Sequence, residues 1–93
     1  MDAREHAETV GLRALAWLAA EEGLLEVFLG ASGLAMEDLR HRAGEPEVLA
    51  AVLDFVLMDD QWVLGFAAEA GLAPEAVARA RAALPGGAQP HWT

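Results

Sequence analysis

The feature that most constrains this 93-residue chain is a near-repeat at fixed offset. Phe28, Gly33, Leu34, Ala35 and Glu37 recur as Phe66, Gly71, Leu72, Ala73 and Glu75, each pair separated by 66 minus 28, or 38, positions. Carried backward, the same register sets Leu15 on Leu53, Trp17 on Phe55, Leu18 on Val56, and the acids Glu21 and Glu22 on Asp59 and Asp60. Apolar spacing within each half follows the 3.6-residue period of a helix. The expected fold is therefore all-α, about six short helices in two similar three-helix units, with residues 1–87 as one helical domain.

The helix boundaries follow from local chemistry. Val10, Ala14, Leu15, Trp17 and Leu18 place a first helix from about His6 to Ala20, with Trp17 on its inward stripe. Glu21 and Glu22 precede a short second helix through Leu24, Leu25, Val27, Phe28 and Leu29, near its positive end. Gly33 stops that helix, since glycine adopts the left-handed conformation without strain, and Leu34 is expected to fold back onto Phe28 or Leu29 as in a Schellman ending. Glu37 and Asp38 open a third helix that ends near Gly44. Pro46 suits the first turn of the fourth, where its missing N–H costs nothing. That helix, to about Met58, is apolar nearly all round and is expected to be the central buried element. Asp59 and Asp60 are placed to cap a fifth helix bearing Trp62, Val63, Leu64 and Phe66. Gly71-Leu72 repeats the stop, Pro74 and Glu75 open the sixth helix, and Val77, Ala80, Ala83 and Leu84 form its inner face before Pro85-Gly86-Gly87. The tail 88–93 has no pattern of its own and is expected to be loose.

Composition narrows the classes of partner. Fifteen acidic against six basic residues give a formal charge of −9, which repels phosphate backbones, so nucleic acid is not expected. No cysteine is present, which leaves no thiolate for a metal or a disulfide. No apolar run approaches the roughly 20 residues that cross a bilayer. The charged start, Met1-Asp2-Ala3-Arg4-Glu5-His6, lacks the pattern of a signal peptide, so a cytoplasmic protein without membrane association is expected.

Four features bear on function. The helix–glycine–helix around Gly71 has the spacing of a DNA-binding helix-turn-helix, but the second helix offers Glu75, Ala76, Ala78, Arg79 and Ala82, which read little in a groove. Asp54, Asp59 and Asp60 form an acidic cluster; Asp59 and Asp60 are explained as caps, whereas Asp54 lies in an apolar run and needs a partner if it is buried. His6, His41 and His91 lack metal-motif spacing and read as surface histidines. Among the aromatics, Trp17, Phe28, Phe55, Trp62 and Phe66 belong to the core. Trp92 lies beyond the helices in a polar tail, placed to anchor onto its own domain or, less favoured, onto a partner. Ser32, Thr9 and Thr93 have no histidine at suggestive spacing, no phosphate-binding loop is present, and no enzyme, cofactor or metal site is expected.

The Ala14-Leu15-Ala16-Trp17-Leu18 start, the Phe28 to Gly33-Leu34 turn, Val52-Leu53-Asp54-Phe55 followed by Asp59-Asp60, the Gly71-Leu72-x-Pro74-Glu75 turn and the Pro90-His91-Trp92 ending together resemble a family of short bacterial proteins known as a domain of unknown function. The resemblance spans nearly the whole chain and implies a bacterial cytoplasmic origin, with no functional residue to carry over. The preferred function is a non-catalytic protein–protein interaction module, acting on an unknown protein partner or by self-association through Trp62, Leu64 or Trp92. A helix-turn-helix DNA-binding regulator is the alternative, and a small ligand- or metal-binding protein the second. Trp92, His91, Trp62 and Asp54 are the candidate interaction residues.

Overall fold

Asp2 opens the first helix: its carboxylate accepts the Glu5 amide at 2.7 Å, satisfying one of the N–H groups that a helix start leaves unpaired. The structure, a computed structural model, describes residues 2–86. Six helices follow in order, α1 (Ala3–Ala20), α2 (Leu24–Ser32), α3 (Met36–Arg42), α4 (Pro46–Val56), α5 (Asp60–Ala70) and α6 (Pro74–Ala82), with no strand among the described residues. The fold is all-α.

α4 lies at the centre, as its apolar circumference requires. Val48, Leu49, Ala50, Val52, Leu53, Phe55 and Val56 are all buried, and α4 packs against α1, α2 and α6. α1 is the second central element and touches α2, α4, α5 and α6. It buries Ala7, Val10, Gly11, Ala14 and Leu18. Gly11 is a point of close approach between α1 and α4, since a Cβ there would stand 2.9 Å from the Leu49 Cβ. Phe55 joins the core to its rim: Phe28 meets it edge-on at 5.4 Å, and Trp62 stacks on it at 4.6 Å.

The two glycine stops share a sequence but end their helices differently. Gly33 and Gly71 are both left-handed, with φ of 78° and 71°. At Gly71 the Leu72 amide donates back to the Ala67 carbonyl and the Gly71 amide to Ala68, the paired bonds of a Schellman ending. At Gly33 only the glycine amide donates back, to Leu29, while the Leu34 amide goes to the Ser32 hydroxyl at 3.2 Å. Ser32 and Ala70 occupy the same place in the repeat, and only the serine carries a competing acceptor.

Packing is likewise unequal between the halves. α6 packs on α1, α4 and α5 through Val77, Ala80 and Leu84, whereas α3 packs on none of the other helices to that extent and buries Leu39 alone. The equivalents of Val77, Ala80 and Leu84 are Leu39, Arg42 and Pro46, and an exposed arginine cannot enter a helix interface where alanine can. The ends of α2 and α5 and the starts of α3 and α6 recur at the offset of 38, but a pair of equivalent three-helix units does not emerge.

Asp59 caps α5, its Oδ1 accepting the Gln61 amide at 2.7 Å and the Trp62 amide at 3.4 Å. Asp59→Ala is expected to lower stability by about 1 kcal/mol, measured by urea unfolding, whereas Glu21→Ala, at the matching position, is expected to leave the midpoint unchanged or raise it.

Candidate functional site

Glycine and alanine on facing helices leave an open groove between α1 and α5. Trp17 projects from the flank of α1, half-buried, and its ring meets Phe66 at 6.1 Å in a tilted arrangement. The indole lies over α5 where Gly65 leaves room, since a Cβ at Gly65 would be 3.3 Å from the Trp17 Cζ2. On one side of Trp17 a hollow of about 390 Å³ is lined by Arg13, Ala16, Ala20, Phe66, Glu69 and Ala70. On the other, about 460 Å³ is lined by Glu22, Leu24, Gln61, Trp62 and Gly65, and Trp17, Glu21 and Glu69 border both hollows. Arg13 closes one end by donating to the Ala70 carbonyl at 3.0 Å, at the negative end of the α5 dipole.

The expectation that Trp17 would sit on the inward stripe is corrected here. Ala7, Val10, Ala14 and Leu18 occupy that stripe, and Trp17, one position before Leu18, is rotated to its edge. Glu21 and Glu22 precede α2, as expected, without capping it. Glu21 ends α1, and the N-cap of α2 is the left-handed Gly23 without any side-chain bond.

Among the other candidates, Trp62 belongs to the groove, half-buried between Phe55 and solvent. Asp54 is exposed and therefore needs no buried partner, yet it has one in Arg81, whose Nε donates to Oδ1 at 2.6 Å. Arg81 is the more enclosed member, with 18% of its side chain exposed against 57% for Asp54, and its Nη1 also donates to the Pro85 carbonyl at 2.8 Å. The two groups differ in what they lose on substitution. Asp54→Asn is expected to cost less than about 1 kcal/mol, as exposed ion pairs do, and Arg81→Ala about 1–2 kcal/mol, because it also removes the carbonyl bond and the packed stem; paired urea titrations distinguish the two. A smaller apolar hollow of about 230 Å³ between α2 and α4 is lined by Asp54, Phe28, Phe55 and Met58. His91 and Trp92 lie outside the described residues.

The features of the alternative functions are dispersed. α6 exposes Glu75, Ala78, Arg79 and Ala82, while Arg81 turns inward to Asp54 and Pro85. Asp59 is taken up by backbone amides, and His41 stands beside Glu37 at 3.3 Å on exposed α3. Among the described residues no three of His, Asp and Glu group as a metal set, and no helix is long and apolar enough to cross a membrane.

The model of a family described as "protein of unknown function (DUF3572)" matches residues 4–87. The chain belongs to that family. The matched span reaches from the first turn of α1 past the end of α6 and so includes the residues of both walls of the groove. No curated protein and no solved structure matches the chain.

Sequence reasoning missed the groove. Gly11 and Gly65 interrupt strongly helical patterns, and a glycine kept inside a helix often has a packing reason. That signal, read with Ala16 and Ala20 one turn apart, points to close helix approach at these places.

Proposed function

We propose that this protein is a non-catalytic protein-interaction module whose docking surface is the groove between α1 and α5. The observation that carries the reading is the pair of half-buried indoles, Trp17 and Trp62, held in place by Phe66 and Phe55 in a groove walled by Ala16, Ala20, Gly65 and Ala70. Tryptophan is enriched among the residues that carry binding energy, and a rigid indole supplies contact area at low entropic cost. Small residues on both walls let a partner's backbone approach closely.

A non-catalytic role is supported by how the hydroxyls among the described residues are used. Thr9 donates to the Glu5 carbonyl and Ser32 accepts the Leu34 amide, both local backbone interactions. Against a nucleic-acid partner stand the charge of −9 and the outward face of α6, which exposes a single arginine, Arg79, along with Glu75 and alanines.

The test is site-specific photo-crosslinking in cells. With a photoreactive residue at Ala20, which is exposed and lines the groove, one discrete cross-linked partner is expected. The same residue at exposed Ala78 on α6 is expected to give none. Equal cross-linking at both positions, or none at Ala20, rejects the groove as a docking surface.

A further inference from the structure

We infer that the occupant of the α1–α5 groove is a basic amphipathic helix, its apolar face against Trp17 and Trp62 and its lysines or arginines against Glu21, Glu22 and Glu69. This inference rests on the reading of the groove as a docking surface. It draws on the state of the carboxylates that border it.

Glu21, Glu22 and Glu69 make no ion pair and accept no side-chain hydrogen bond among the described residues. Three of the chain's six basic residues pair with acids elsewhere, Arg4 with Glu8, Arg42 with Glu45 and Arg81 with Asp54, while Arg13, at one end of the groove, donates to the Ala70 carbonyl and pairs with none of the three glutamates. No basic residue occupies the last turn of α1, where the helix dipole is negative. Glu21 ends α1 at the negative end of its dipole; both acids also precede the positive start of α2, and neither is used there as a cap.

The repeat supplies an internal control. Asp59, at the position matching Glu21, works structurally as the cap of α5. Glu21 caps nothing, because Gly23 takes that place at α2. The structural role that accounts for the acid in one half is absent from the other. The acid that lacks it borders the groove.

A cation from outside offsets this local excess of negative charge, and the two hollows flanking Trp17, apolar beside Phe66 and more polar beside Gln61, accept side chains spaced along one helix face. A third helix is the natural filler of a groove between two helices with small side chains on both walls. A second copy of the chain fits less well. Leu64, 50% exposed on α5, offers it an apolar contact, but two chains of −9 each repel at close range.

The test uses the full-length chain and a synthetic tryptophan-free helical peptide with a leucine face and lysine and arginine flanks. Its twin has glutamates at the basic positions. Isothermal titration is expected to show the basic peptide binding at least about tenfold more tightly than the twin, with affinity falling as salt rises. The triple variant E21Q, E22Q and E69Q, all at exposed positions, is expected to bind the basic peptide about tenfold more weakly, as three modest exposed ion pairs predict. Ala16→Phe, which fills the groove from an exposed position, is expected to abolish binding. Equal binding of the two peptides, no effect of the triple variant, or no binding at all overturns the inference. If photo-crosslinking at Ala20 yields a partner whose contacting segment is not basic, the inference falls while the docking surface stands. If Ala20 cross-links nothing, both fall.

Discussion

Phe28→Ala is expected to lower the unfolding free energy by about 3–5 kcal/mol, the usual cost of truncating a fully buried phenylalanine. Phe28 has no exposed surface and is the residue of α2 that reaches the buried class; Leu24, Leu25 and Leu29 pack only partly against the core. It anchors α2 between α1 and α4 and supplies the edge-on contact to Phe55. A chain of this size has roughly 5–14 kcal/mol of stability, so the loss takes a large share of it. Thermal or urea unfolding measures the total. Hydrogen exchange separates its parts: amides of α2 are expected to lose protection before those of α4. A loss below about 1 kcal/mol means that α2 is held by its partly buried leucines instead.

Gly11→Val is expected to cost about 2–3 kcal/mol, at the upper end for overpacking. The added Cβ would lie 2.9 Å from the Cβ of Leu49, and neither atom can rotate away because both are fixed to helix backbones. α1 and α4 must therefore separate at their crossing. Gly11→Ala isolates the effect, since alanine gains about 1 kcal/mol of helix propensity over glycine against the same first contact. Its net change is expected to be destabilising but smaller than that of valine. A stabilised alanine variant would show that the crossing can relax.

Local chemistry was legible in the sequence, and tertiary choice was not. Pro46, Pro74, Asp59, Gly33 and Gly71 sit where capping and turn rules put them, since each rule depends on a few neighbouring residues. The repeat was legible as spacing but misleading as packing. Arg42 and Pro46 stand where Ala80 and Leu84 do in the other half, and α3 stays at the periphery while α6 enters the core. Ser32 in place of Ala70 changes the hydrogen bonds of the stop without moving the helix end. Trp17 escaped because one position in a helix is a 100° rotation, enough to turn an apolar side chain from the core to its edge. The Asp54–Arg81 pair joins residues 27 apart on different helices, a contact that no periodicity encodes.

The central claim is that the α1–α5 groove is where this protein meets its partner. The most direct measurement is amide and indole chemical-shift mapping of the isotope-labelled chain titrated with the basic helical peptide. The predicted result is saturating shifts at Arg13, Ala16, Ala20, Gly65 and Glu69 and at the Trp17 and Trp62 indoles, with α3 and the outward face of α6 unchanged. Shifts centred on Asp54, Met58 and α2, or on Arg79 and Ala82 of α6, would contradict it.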